Sequence, residues 1–195
     1  MIIQKSQYKR ATWKNGLGHT DEIAIFPPGS SLLKGDFLWR LSSAQIENSS
    51  PFSLFPAHDR VLVVLKGAGL RMIHTFEAGD PEDSTEVPPF EPYEFPGDVK
   101  SRCELLNGSI TDFSLFMRTG EVGGRVVIQE MGADQDFLWN PEGKWNFAHA
   151  IQGSFDTGVG NLQESDTLSV TRGEVQFRTH SPPGQLLLIE LESLI

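Results

Sequence analysis

The sequence predicts an all-β protein made of many short strands. Runs of β-branched or alternating apolar residues recur along the chain, with Gly, Pro, Asp or Asn at their ends. No segment has the apolar spacing of a long amphipathic helix. Short strands with closely spaced turns are typical of sandwiches and barrels. The clearest strand segments are RVLVVLKGAGLRMI, GRVVIQEM, TLSVTRGEVQFRT and QLLLIELESLI.

A weak internal repeat favours a duplicated jelly roll. In the first half, the apolar run RVLVVLKG reaches Gly67 and turns, and a later turn, FPGD, precedes another strand. In the second half, WNFAHAIQG reaches Gly153 and turns, and a turn at Asp166 precedes LSV. The 195 residues suffice for two small barrels in one compact unit, and we expect the N-terminal strand to help close one of them.

Composition excludes several classes of function. Sixteen Lys and Arg against 26 Asp and Glu give a formal charge of −10, which disfavours nucleic acid and anionic lipid surfaces as partners. No apolar run is long enough to span a membrane, and MIIQKSQYKRATW lacks the features of a signal peptide, so we expect a soluble, cytoplasmic protein. The single cysteine, Cys103, is expected to be a buried hydrophobe, and the acidic segment 76–94 a solvated loop.

The segment WKNGLGHTDEIAIF combines several polar groups with two glycines just before an apolar strand. Glycines at positions 16 and 18 allow a nest of backbone N–H groups that binds an anion, or a bulged turn that leads into the strand. In either case, alternation places Thr20 and Glu22 on one strand face. The candidate binding residues of this segment are Trp13, Asn15, Thr20 and Glu22.

Two arginines in predicted strands offer positive charge. Alternation places Arg40 on one face with Ser42, either on a polar pocket floor or on the solvent face. Arg60 in FPAHDRVLVV presents the same two alternatives. A buried arginine needs a carboxylate partner, from the protein or from a ligand. If Glu22 pairs with one of the two, the other is left for an anionic ligand.

The histidine pattern argues against a metal site. The five histidines never occur as H-x-H, and the sequence has no H-E-x-x-H helix. It also lacks the G-x-S-x-G segment of a nucleophile elbow. We therefore expect neither a bound transition metal nor another cofactor.

Several segments, in order, resemble the HutD/Ves family: WKNGLGHTDEIA, WRLSSA, PFSLFPAHDR, FPGD and LLNGSITDFSLFMR. The resemblance is close over residues 1–118 and loose beyond. It implies a bicupin, two apposed jelly-roll barrels in a single unit, with residues 1–118 as the first barrel and 119–195 as the second. Leu17 and Ser114 depart from the family pattern, at positions where the family has Gly and often Asn.

The resemblance also implies a ligand. Counting back from Gly67, Arg60 stands where metal-binding cupins have a glutamate, so an anion is expected in place of a cation. The family's association with histidine-utilisation genes implies a sensor or regulator linked to histidine and urocanate catabolism. The expected ligand carries a carboxylate and resembles urocanate or formylglutamate.

Other functions stay open at this point. A metal-independent enzyme would use Glu22 as general base and Arg40 or Arg60 to stabilise negative charge. A purely structural or partner-binding role leaves the polar N-terminal segment unexplained. A homodimer is the expected assembly, because symmetric dimers are the commonest soluble oligomers.

Overall fold

Strands account for nearly all of the regular structure. The computed structural model describes residues 1–12, 18–76 and 82–195, where it has nineteen strands and one three-residue 3-10 helix, Lys5–Gln7. The all-β prediction is confirmed. The chain divides into two compact units, a first unit of residues 9–121 and a second unit of residues 1–8 and 122–195.

In chain order the strands are β1 (Ile2–Ile3), β2 (Lys9–Thr12), β3 (Gly18–Phe26), β4 (Trp39–Ile46), β5 (Ser50–Pro51), β6 (His58–Lys66), β7 (Leu70–Thr75), β8 (Asp83–Val87), β9 (Tyr93–Pro96), β10 (Lys100–Leu105), β11 (Ile110–Arg118), β12 (Val122–Met131), β13 (Asp136–Trp139), β14 (Trp145–Gln152), β15 (Phe155–Thr157), β16 (Gly160–Leu162), β17 (Thr167–Val170), β18 (Val175–Thr179) and β19 (Gly184–Ser193).

The first unit has a six-stranded sheet in the order β2-β3-β4-β11-β6-β9 and a four-stranded sheet in the order β5-β10-β7-β8. Side chains on their inner faces alternate with outward ones, and apolar inward residues form a core cluster. The cluster includes Leu62 and Val64 from β6 and Met72 from β7, each buried. The core does not fill the whole interior, because polar residues occupy the inward positions of β4 and β11 nearby.

The second unit has a five-stranded sheet in the order β1-β17-β14-β19-β12 and a four-stranded sheet in the order β13-β18-β15-β16. The N-terminal strand β1 extends the edge of the larger sheet, where Ile2 pairs with Leu168. The Tyr8 hydroxyl lies 2.7 Å from the Ser165 carbonyl oxygen, to which it donates a hydrogen bond. Residues 1–8 thus belong to the second unit and not to the first half of the chain, in which the sequence division had placed them.

The two units repeat one topology. The order β4-β11-β6-β9 in the first unit recurs as β12-β19-β14-β17, and β5-β10-β7-β8 recurs as β13-β18-β15-β16. Each strand therefore corresponds to the one eight places later. Gly67 and Gly153 end the corresponding strands β6 and β14 with φ of 100° and 85°. A Cβ on Gly67 would lie 2.7 Å from the Ser109 carbonyl oxygen, so the turn requires glycine.

The acidic segment differs from its expected loop structure. Residues 83–87 form β8, which pairs with β7, and residues 93–96 form β9, which pairs with β6. Four of the five residues of β8 are exposed, so the strand has no apolar alternation by which to recognise it. Backbone pairing along an already formed sheet edge stabilises such a strand without a buried side-chain stripe.

Candidate functional site

The first unit contains a cavity of about 430 Å³ that is lined by charged, hydroxyl and aromatic side chains. A larger open groove, about 770 Å³, lies on the second unit, but its charged lining residues Arg172, Glu174 and Arg178 are exposed to solvent. We take the smaller cavity as the candidate site, because its charged groups are buried. Its lining includes Thr20, Arg40, Ser42, Ala44, Phe52, Phe55, Arg60, Asp112, Ser114 and Phe116.

Strand alternation and register bring these side chains together. In the central strand β11, Phe116 pairs with Arg40 of β4 on one side and with Arg60 of β6 on the other. Directly paired residues point to the same face, so the two arginines flank the Phe116 ring. One step further along β11, Ser114 pairs with Ser42. The cavity thus has a cationic end and a hydroxyl-lined middle.

Arg40 is held by partners within the protein. Its Nε donates a 2.8 Å hydrogen bond to Oε2 of Glu22, and its Nη1 donates one of 2.8 Å to Oγ of Ser42. The Arg40 side chain is 5% exposed and that of Glu22 is 20% exposed. Because the ion pair satisfies much of the guanidinium, Arg40 is stable in its buried position without a ligand.

Arg60 is buried without such partners. Within the described residues it makes no hydrogen bond and no ion pair, and its Nε is a buried donor that is left unsatisfied. Four phenyl rings surround the guanidinium carbon, with centroids at 4.5 to 5.8 Å, from Phe116, Phe95, Phe52 and Phe55. Burial lowers the pKa of Arg60 to about 10, so the side chain keeps its charge at neutral pH. Ring faces stabilise that charge in part, but they accept no conventional hydrogen bond.

Asp112 supplies a carboxylate at the opposite end of the cavity. Its Oδ1 accepts a 2.9 Å hydrogen bond from the Ala44 backbone N–H, and its Oδ2 accepts a longer one, 3.4 Å, from Ser114 Oγ. Burial raises the pKa of Asp112 to about 6, although the Ala44 N–H and the charge of Arg60 act in the opposite direction. Asp112 is therefore largely ionised above neutral pH.

The charges of the cavity favour an anion at its arginine end. Glu22 neutralises Arg40, whereas Arg60 has no ion-pair partner within 4 Å in the described part of the chain. An unpaired buried guanidinium is unfavourable unless an anion binds it. A ligand carboxylate at this end would receive charge-assisted hydrogen bonds from Arg60.

The structure brings together most of the residues singled out from sequence. Thr20, Arg40, Ser42 and Arg60 line one cavity, and Glu22 contacts it through Arg40. Two other candidate residues, Trp13 and Asn15, lie outside the described residues, as does Leu17.

Sequence reasoning missed Asp112 and the phenyl rings around Arg60. The signal was present in ITDFSLFMR, where alternation places Asp112, Ser114 and Phe116 on one face.

Neither a metal-binding cluster nor a membrane-spanning helix is found among the described residues. In residues 1–12, 18–76 and 82–195, no three His, Cys, Asp or Glu side chains are grouped so that they could hold a metal ion. Across the same ranges, no helix has the length and apolar character needed to cross a membrane.

Comparison with known proteins identifies relatives of the whole chain. The HutD family profile matches residues 5–188. An uncharacterized 21.2 kDa protein from the hutC 3′ region of Pseudomonas putida is 39% identical over 115 residues, which cover 59% of this chain and 56% of the relative. The match thus spans little more than half of that relative's length.

Solved structures agree over nearly their full length. HutD from Pseudomonas fluorescens SBW25, in a formate condition, is 29% identical with a TM-score of 0.75, covering 99% of this chain and 98% of that one. A conserved protein of unknown function from Pseudomonas aeruginosa PAO1 is 27% identical with a TM-score of 0.82, covering 100% and 99%. The bacterial pirin YhhW from Escherichia coli, 10% identical with a TM-score of 0.70 over 100% and 99%, shares the fold alone. The cupin-type fold expected from the sequence is confirmed.

Proposed function

The chain belongs to the HutD family, and from this premise we propose that its first unit binds a small metabolite by the metabolite's carboxylate. The family is linked to histidine utilisation, as the location of the Pseudomonas putida relative near hutC indicates. Urocanate and formylglutamate are the candidate ligands, and sensing or regulation of histidine catabolism in the cytoplasm is the proposed role.

One observation carries this proposal: the buried Nε of the Arg60 guanidinium has no hydrogen-bond acceptor among the described residues. Buried charged donors in folded proteins are almost always satisfied, so an empty acceptor position beside one indicates where a ligand oxygen belongs. Phenyl rings surround the guanidinium, and the cavity beside it measures about 430 Å³, a size typical of sites for small metabolites.

Binding is better supported than catalysis. The catalytic alternative assigns Glu22 as the general base, yet Oε2 of Glu22 accepts the hydrogen bond of Arg40, and Glu22 is not among the side chains that line the cavity. A general base must reach the proton that it removes. The arrangement therefore favours a role for Glu22 in positioning Arg40, and not in removing a proton from a substrate.

Calorimetric titration of Arg60→Met with urocanate and with formylglutamate tests the proposal. Methionine keeps much of the side-chain volume and removes the charge, so affinity is expected to fall about tenfold to hundredfold. Arg125→Met is the matched control, because Arg125 is an arginine of the second unit whose side chain is 71% exposed. The Arg125→Met protein should bind both compounds with the affinity of the wild-type protein. Unchanged affinity in a folded Arg60→Met protein, or no binding of either compound to the wild-type protein, would contradict the proposal.

A further inference from the structure

Asp112 is a second buried group whose capacity for hydrogen bonding is not filled. The residue is 1% exposed and lines the cavity. A carboxylate accepts about four hydrogen bonds, whereas Asp112 receives two, and the one from Ser114 is long at 3.4 Å. No cation lies within 4 Å of Asp112 in the described residues, although Arg60 and Arg40 act on it at longer range.

The distance between Asp112 and the arginine end defines the length of a ligand. Phe116, in register with both arginines, follows Asp112 by four residues on β11. Four strand residues span about 13 Å of backbone. The side chains of Arg60 and Asp112 both extend into the cavity, so a ligand has to bridge less than this distance. Ser42 and Ser114 lie in register between the two ends. A molecule with its carboxylate at Arg60 therefore presents its far end to Asp112.

We propose that Asp112 sets the chemical class of the ligand. The cavity takes a monoanion whose far end donates a hydrogen bond to the Asp112 carboxylate, and it admits a dicarboxylate only together with a proton. The inference rests on the proposed binding of a carboxylate at Arg60. It separates the two candidate ligands by charge, since urocanate has one carboxylate and formylglutamate has two, although each carries an N–H.

The reason is electrostatic. A donor N–H at Asp112 fills a vacant acceptor position on an ionised group, which makes a charge-assisted hydrogen bond. A second carboxylate there would place a negative charge against the buried carboxylate of Asp112, and like charges so close do not both stay ionised. A proton shared between the two carboxylates removes the repulsion.

Asp112 is suited to take up that proton. Burial already raises its pKa to about 6, and a ligand carboxylate alongside would raise the pKa further. The charged and titratable groups that face it from neighbouring strands are Arg40 on β4, Arg60 on β6 and Cys103 on β10, with Glu22 on β3 behind Arg40. Burial raises the pKa of the Cys103 thiol, which therefore stays neutral. A bound carboxylate would therefore shift the protonation of Asp112 towards neutral pH.

The test compares three carboxylates by calorimetric titration. Urocanate and cinnamate share the acrylate group, but cinnamate has a phenyl ring in place of the imidazole and donates no hydrogen bond from it. Glutarate is the dicarboxylate. At pH 7.5 the wild-type protein is expected to bind urocanate at least about tenfold more tightly than cinnamate. Binding of glutarate is expected to be accompanied by the uptake of about one proton by the complex, which titrations in buffers of different ionisation enthalpy measure. The affinity for glutarate should therefore rise about tenfold for each unit by which the pH falls.

Two variants assign these effects to Asp112. Asp112→Leu removes the acceptor and should reduce the preference for urocanate over cinnamate to less than about threefold. Asp112→Asn keeps the shape and removes the titration, so glutarate should bind without proton uptake and without pH dependence. Asp59→Asn, a carboxylate on β6 outside the cavity lining, is the control and should behave as wild type.

The outcomes separate this inference from the function on which it rests. Equal affinity of the wild-type protein for urocanate and cinnamate, or glutarate binding without proton uptake, overturns the role of Asp112 and leaves carboxylate binding intact. Binding of none of the three, together with no binding of formylglutamate, overturns both.

Discussion

The two units have the same strand order and different interiors. Their ladders can be aligned through the glycines that end β6 and β14, because Asp112 pairs with Val64, three residues before Gly67, and Leu186 pairs with Ala150, three residues before Gly153. Both ladders also skip one residue at the same place, between positions 64 and 66 and between 150 and 152. Asp112 therefore corresponds to Leu186.

The same alignment places Leu188 at the position of Ser114 and Asn146 at that of Arg60. Leu186 and Leu188 are buried in the apolar core of the second unit, together with Ala148 and Ala150. Where the first unit has Asp112 and Ser114 beside a cavity, the second has two buried leucines, and only Asn146 keeps a polar side chain among these three positions. One topology thus accommodates two kinds of interior: apolar residues at inward positions of the second unit, and the lining of the candidate site in the first.

The largest expected effect on stability comes from placing an aspartate in the second unit at the position that corresponds to Asp112. Leu186→Asp buries a charge among apolar side chains, and should lower the free energy of unfolding by at least about 4 kcal/mol. Leu186→Ala, which leaves only a cavity, should lower it by about 2–4 kcal/mol. Urea denaturation measures both. Equal losses in the two variants would show that the second interior tolerates a carboxylate.

A smaller effect concerns pH. The folded protein keeps the Asp112 proton up to pH about 6, whereas an unfolded chain releases it near the ordinary pKa of 3.8. The protonated form stabilises the fold below pH 4, and this contribution is lost as pH rises through about 6. From pH 4 to 7 the free energy of unfolding should therefore fall by about 2.4 kcal/mol relative to Asp112→Asn, which has no such titration. If the free energies of unfolding of the two proteins differed by the same amount at every pH, folding would not raise the pKa of Asp112.

The sequence predicted those features that depend on local periodicity. Alternation of period two placed Arg40 with Ser42 on one face, and the paired runs before Gly67 and Gly153 indicated the duplication that the strand orders confirm. It did not distinguish Arg40 from Arg60, because the partner of each depends on the register between strands. Glu22 meets Arg40 through the pairing of β3 with β4, which includes a bulge after Glu22.

The sequence did not identify Asp112 as a site residue, for a related reason. The segment ITDFSLFMR reads as one more apolar strand, and only closure of the sheet shows that its polar residues point inward. The roles proposed for Trp13 and Asn15 stay predictions.

The smallest expected effect compares the two arginines in the absence of ligand. Arg40→Met leaves the Glu22 carboxylate, 20% exposed, without its partner, and should lower the free energy of unfolding by about 2 kcal/mol. Arg60→Met removes a buried charge that has no ion pair and gives the four phenyl rings an apolar neighbour of similar size. Replacing such a charge by an apolar side chain is neutral or stabilising, so the free energy of unfolding should rise by up to about 1 kcal/mol. Urea denaturation at pH 7.5, after dialysis to remove small molecules, measures the two variants against the wild-type protein. A loss in Arg60→Met as large as that in Arg40→Met would mean that Arg60 stabilises the empty fold, and that its charge is not held ready for a ligand.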